Sequence, residues 1–255
     1  MDKEKYLNYK VFGAGPPLII LHGLFGTLDN WKTIAGILKE DYQVILVDLR
    51  NHGRSFWSDD FDYQILSDDV FALMDHLELT RAHLLGHSMG GKVVLQMANN
   101  HPNRVIKAIC VDIGFKSYSP SHNLIFDNIL RMKPSEISSR KEAEDQLSEG
   151  IKDRSIRLFL LKSLARAKDG GFKWKTNFIA LHINYMRILE EVDISNISAP
   201  ILWIRGSRSS YISERDKEEI SLKVPQAQFQ DIDAGHWVHA EKPKELYHSV
   251  RSFLN

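Results

Sequence analysis

The run Ala82-His83-Leu84-Leu85-Gly86-His87-Ser88-Met89-Gly90-Gly91-Lys92 limits the possible folds more than any other stretch of the chain. It opens as a short apolar run of the kind buried inside a sheet. From Val93 through Ala98 the apolar residues recur at helical spacing, so a strand must pass into a helix within a few residues. Gly86 and Gly90 bracket Ser88 as G-x-S-x-G. A turn this sharp holds the serine hydroxyl out over the end of the sheet, and a side chain on either flank would collide with neighbouring backbone. Ser88 is therefore a candidate nucleophile, and the rest of the chain has to supply a base, an acid and donors for an oxyanion.

At 255 residues the chain is long enough for one large α/β domain with an insertion. Lys plus Arg and Asp plus Glu both number 33, so no net field directs the protein to nucleic acid or to an anionic membrane surface. A neutral small molecule fits that balance better. The single cysteine, Cys110, lies in an apolar run, where a small buried hydrophobe is expected rather than a reactive thiol. Met1-Asp2-Lys3-Glu4-Lys5 has no apolar targeting segment behind it, and no apolar run reaches the length of a membrane span, so a cytoplasmic protein is expected.

Residues 6–12 read as an antiparallel edge strand ending in Gly13-Ala14-Gly15-Pro16-Pro17. Leu18-Ile19-Ile20-Leu21 reads as a strand covered on both faces, delivering the chain into His22-Gly23-Leu24-Phe25-Gly26. The backbone N–H after that glycine, on Leu24, and the N–H of Met89 are assigned as oxyanion donors. Asp29-Asn30-Trp31 is expected to cap a helix reaching about Lys39. Residues 43–47 form the next strand. The loop after it, Asp48 to Ser55, contains His52, which is expected to satisfy loop backbone groups. A helix over 64–77 and a strand over 104–111 follow, the latter ending in Asp112-Ile113-Gly114.

Over 115–196 charges rise and buried-strand runs vanish, which predicts a helical cap inserted between two strands, with helices over 151–167 and 177–189. Its basic residues, Lys152, Arg154, Arg157, Lys162, Arg166 and Lys168, read as a solvated face. Residues 200–206 return to the sheet, 213–224 is a surface helix, 226–232 the last strand and 243–254 a closing helix. Strands alternating with helices predict an α/β fold: a mostly parallel central sheet flanked by helices. Its core spans 1–114 and 197–255, and its cap 115–196.

Chain order identifies the base and the acid. Nucleophile, then acid, then histidine is one of three known orders for serine hydrolysis, and His236 in Gly235-His236-Trp237-Val238-His239 falls last, just after the final strand. His22, His87 and His239 are expected to orient loops. The acid often sits on the loop after the strand that follows the insertion. Here that loop reads Gly206-Ser207-Arg208-Ser209-Ser210-Tyr211 and has no carboxylate before Glu214. Asp112, one strand over at the same end of the sheet, is the favoured acid, ahead of Asp231 and Asp233. Ser209 stands in the vacant slot and is expected to hydrogen-bond Asp112 or His236.

Taken together, the His22–Gly26, Asp48–Ser55, Gly86–Lys92, Val111–Ile113 and Gly235–His239 segments resemble the YbfF-type bacterial esterases of the α/β-hydrolase superfamily. The resemblance implies the α/β-hydrolase fold and a carboxylesterase or acyl thioesterase forming an acyl-enzyme on Ser88, with Asp112 and His236 completing the triad. The implied substrate is a small-molecule ester or acyl thioester. No cofactor or metal is expected, because backbone donors do the electrophilic work and no histidine and carboxylate cluster has ligand spacing. Two alternatives stay open: a carbon–carbon bond hydrolase or lyase on the same fold, and a ligand-sensing module with a residual triad. A haloalkane or epoxide hydrolase is disfavoured, since its nucleophile would be an aspartate where this chain has Ser88.

Overall fold

The computed structural model describes residues 6–168 and 170–255, so the N-terminal segment Met1 to Lys5 read above lies outside the described residues. Seven strands form one sheet in the order β1-β3-β2-β4-β5-β8-β9. They are β1 (Tyr9–Phe12), β2 (Pro17–Leu21), β3 (Gln43–Val47), β4 (Ala82–His87), β5 (Val105–Val111), β8 (Ile201–Gly206) and β9 (Ala227–Ile232). Only β1 is antiparallel, pairing with β3 at the sheet edge; the other six run parallel.

Parallel strands need crossovers, and the helices that supply them bury both faces of the sheet. Alternation within each strand shows this. Ile19, Leu21 and Leu84 point into one apolar cluster with α2 (Tyr63–His76) and α3 (Met89–Asn100). Leu18, Ile20 and Leu85 point into the other, with α1 (Lys32–Leu38) and the closing helix α11 (Pro243–Leu254). The helix before β9 is α9 (Glu214–Lys223), and α10 (Val238–Glu241) precedes α11. Among the described residues no helix is long and apolar enough to cross a membrane.

The chain lays β3 on one side of β2, then β4, β5, β8 and β9 on the other. The carboxyl ends of β2 and β4 thus flank the point where strand order reverses, the usual place for a ligand in an open α/β sheet. Register levels these ends: Leu21 pairs with Gly86, His87 with Val111, and Val111 with Ile204. The Ser88 N–H donates to Val111 O and the Asp112 N–H to Ile204 O, carrying the ladder one residue beyond each strand.

Between β5 and β8 lie α4 (Asn123–Arg131), α5 (Arg140–Gly150), α6 (Arg154–Leu161), β6 (Leu164–Arg166), β7 (Phe172–Trp174), α7 (Phe178–Ile183) and α8 (Tyr185–Leu189). Three expectations are corrected here. The helix over 151–167 stops at Leu161, and residues 164–166 form an antiparallel hairpin with β7. The helix over 177–189 breaks at Asn184, whose side-chain amide donates to Asp59 O and to Ala180 O. Helical spacing of apolar residues does not register such breaks, because the buried face continues across them. The 3-10 turn Leu28–Trp31 begins after Thr27, not at Asp29; Asn30 Oδ1 accepts the Thr27 N–H at 2.7 Å. Five of the six named basic residues of this insertion are exposed and Arg157 is half-buried, donating to Ile151 O and Lys152 O.

Candidate active site

Ser88 joins β4 to α3 with φ 52° and ψ −122°, a backbone conformation that costs on the order of 1–3 kcal/mol and persists only where surroundings enforce it. The glycines make that possible. A Cβ on Gly86 would lie 2.1 Å from Gly90 O, and one on Gly90 would lie 2.6 Å from both Leu21 O and His22 O. The elbow is pressed against the end of β2 on one side and its own strand on the other. Gly23 completes the contact: a Cβ there would sit 3.1 Å from Ser88 Cβ.

Asp112 follows β5, also with positive φ (52°), and is 0% exposed. Three donors converge on its carboxylate. The Gly206 N–H reaches Oδ1 at 2.9 Å, while Oδ2 accepts from His236 Nδ1 at 2.8 Å and from the Ser209 hydroxyl. With Nδ1 committed to Asp112, His236 keeps Nε2 free as an acceptor. The ring is clamped: Tyr211 stacks on it at 4.0 Å between centroids with planes 16° apart, and His87 lies 4.6 Å away on centroids. Ser88 and His236 line one cavity of about 250 Å³; no direct hydrogen bond joins them in this conformation. Catalytic contacts of this kind commonly tighten only around substrate.

Among the described residues, neither the Leu24 nor the Met89 N–H has a protein acceptor, whereas the neighbouring Phe25 N–H is taken by His52 Nε2 at 3.2 Å. Leu24 and Met89 together line a second cavity, of about 360 Å³, that also reaches Ser88. Two unpaired N–H groups beside a serine at a helix N-terminus are suited to a developing oxyanion.

The other histidines hold this frame. His22 Nε2 accepts the Leu49 N–H at 3.0 Å while its Nδ1 donates to Gly23 O, and His52 Nδ1 donates to Arg50 O. His87 Nε2 donates to His236 O at 2.8 Å, and His239 stacks on Trp31. Burial keeps all four neutral: His52 and His239 are pushed down to about 3, His87 well below its ordinary value, and His22 lowered. Asp231 is engaged by Arg205 and Lys217, and Asp233 by Arg208, so neither rival acid is free for His236. Cys110 is buried, and burial raises its thiol.

Three contributors escaped the sequence reading. Tyr211 was only a loop residue there, and nothing in one sequence marks a ring that stacks on a histidine 25 positions away. His122, at the start of α4, lines both cavities; burial lowers it to about 4, and its Nδ1 meets the Tyr185 hydroxyl at 2.7 Å. Lys92 is 1% exposed, with Nζ donating to Lys116 O at 2.8 Å and to Glu190 O, between the Tyr63 and Tyr118 rings. It fastens the two stems of the insertion to α3. Burial pulls it down to about 7. A lysine among Gly91, Val93 and Val94 on a packed helix was the available signal.

The structure thus brings a serine turn, a buried aspartate and a histidine after the last strand to one end of the sheet, and comparison with known proteins gives the family of the chain. Residues 16–151 match the family model described as alpha/beta hydrolase fold. The chain belongs to the α/β-hydrolase family. It is 34% identical to esterase YbfF of Escherichia coli, over 94% of this chain and 93% of that protein. It is 38% identical to the zebrafish (Danio rerio) protein named sn-1-specific diacylglycerol lipase ABHD11, over 97% of this chain and 82% of the other. A solved marine microorganism esterase superposes with a TM-score of 0.95 at 38% identity, covering 98% of this chain and 100% of its own.

Proposed function

We propose that this α/β hydrolase cleaves carboxylic esters or acyl thioesters through an acyl-enzyme on Ser88, with His236 as general base and acid and Asp112 as the residue that orients it. The observation that carries the reading is the 2.8 Å contact of fully buried Asp112 with Nδ1 of His236, whose ring lines one cavity with Ser88. The relatives' names, esterase and diacylglycerol lipase, support an ester as substrate.

Ser88 Oγ attacks the acyl carbon while its proton passes to His236 Nε2, and the negative charge settles on the carbonyl oxygen between the Leu24 and Met89 N–H groups. The bond to the leaving oxygen or sulfur breaks as that atom takes the proton from Nε2. Water then attacks the acyl-enzyme by the same route in reverse order, its proton passing through Nε2 to Ser88 Oγ, and the free acid leaves. Ser209 supports the acid by donating to the carboxylate oxygen that faces His236. Residues 115–196 form the cap and supply walls of the site.

A panel of p-nitrophenyl esters and acyl-CoA thioesters tests the proposal. Turnover of at least one class, abolished in Ser88→Ala, is the expected result; turnover that survives Ser88→Ala overturns it.

A further inference from the structure

Two cavities meet at Ser88, and their walls differ in a way that the chemistry can read. Leu24, Ser121, His122 and Tyr211 line both and stand at the junction with the serine. His236 lines only the smaller cavity; Met89 lines only the larger. A tetrahedral carbon on Ser88 has four substituents. One is Oγ, and the oxyanion is held by the Leu24 and Met89 N–H groups. The leaving atom must lie within reach of His236 Nε2, the only ring nitrogen left after Nδ1 is bound to Asp112, because that nitrogen returns the proton. The remaining substituent, the acyl carbon chain, has to point away from His236.

Resting on the hydrolase reading above, we infer that the cavity beside His236 receives the leaving group and that the cavity past Met89 receives the acyl chain. The walls then name the substrate class. The leaving-group cavity is faced by Phe25, Ile125, Ile156, Phe159, Leu160 and Trp237, with its histidines His22, His87 and His239 held neutral by burial. It suits an uncharged, apolar alcohol or thiol. The acyl cavity is faced by Tyr63, Ile113, Tyr118, Ile188 and Leu189 and by Lys92, whose amine is already taken by two backbone carbonyls. It suits an aliphatic acyl chain. The cap therefore divides its work: α4 and α6 select the leaving group, and the stems around Tyr118 and α8 select the acyl group.

The division has a kinetic signature, because the leaving group has departed before deacylation and the acyl group has not. Half-buried Ile156 and exposed Ser119 face the leaving-group and acyl cavities respectively, so Ile156→Trp and Ser119→Trp fill one each at low risk to folding. Four esters serve as probes: acetyl and hexanoyl, each on p-nitrophenol and on 2-naphthol. Ile156→Trp should lower kcat/KM for the naphthyl esters about tenfold relative to the nitrophenyl esters, a change the size of losing one or two methylene contacts in a pocket. It should leave the decay rate of each acyl-enzyme unchanged. Ser119→Trp should lower kcat/KM for hexanoyl relative to acetyl esters of either alcohol by a similar factor and change hexanoyl-enzyme decay. The opposite pattern, or both variants acting on both halves alike, overturns the assignment. If the wild-type protein turns over none of the four and takes no acyl label, the hydrolase reading itself has failed, which is a separate result.

Discussion

The floor of the site and its roof are built by different rules. The floor consists of residues one to four positions beyond β2, β4, β5 and β8, where parallel register brings Ser88, Asp112 and the His22–Phe25 loop to one level. Backbone contacts leave almost no freedom there: a Cβ on Gly86 or Gly90 would meet backbone at 2.1 or 2.6 Å. The roof consists of short helices and one small hairpin packed through side chains such as Phe126, whose ring meets those of Phe25, His182 and Tyr185. Backbone geometry fixes chemistry, and side-chain packing fixes the shape of what enters. The two meet at Phe25, whose floor-loop ring packs against Phe126 and Phe178 of the roof.

Ser88→Ala sets the upper end of that contrast. It should reduce kcat on the order of 10⁶-fold, as for other serine triads, with little change in melting temperature. Asp112→Asn should lower kcat by up to ~10⁴-fold, because an amide favours the wrong imidazole tautomer. Asp231→Asn and Asp233→Asn, which break only surface ion pairs, should stay within about twofold. Combining Asp112→Asn with Ser209→Asp should recover part of the lost turnover, since both positions approach His236 from adjacent strand ends. Ser209→Ala alone should cost about tenfold in kcat, the scale of one hydrogen bond to a charged group. Steady-state kinetics on one p-nitrophenyl ester measures all of these, and near-normal turnover in Asp112→Asn would remove the acid from the account.

The buried histidines around the floor also carry a pH signature. Burial pushes His52 and His239 down to about 3 and holds His22 and His87 below the imidazole value of about 6.5 that the unfolded chain has. Below that pH the unfolded chain binds protons that the folded chain refuses. Their contribution to stability is therefore complete above pH 6.5 and is lost as pH falls toward the folded values. Melting temperature should drop between pH 6.5 and 4, and His52→Gln should flatten that slope. An unchanged slope would show that His52 is not held neutral.

The same contrast explains what could be read from the sequence. Gly86-x-Ser88-x-Gly90 and the Leu18–Leu21 run constrain backbone, so strands and elbow were legible; the missing carboxylate before Glu214 pointed instead to Asp112, which the structure sets against His236. The same vacancy put the Ser209 hydroxyl on Asp112 or His236, and it donates to Asp112. In the insertion, apolar spacing identified buried faces but not where helices stop, and the break at Asn184 and the hairpin after Leu161 went unseen. Tyr211 and His122 were missed because their roles arise only when distant segments meet. Lys92 could have been found, as a charge on a helix face that has to be buried.

The most direct test of the central claim is rapid-quench mass spectrometry of the protein mixed with a slowly hydrolysed ester, with the acylated peptide mapped. The account predicts a transient adduct of the acyl group's mass on the peptide carrying Ser88, formed as the alcohol is released and decaying at the deacylation rate. Turnover proceeding with no adduct, or with the adduct on any other residue, would contradict it.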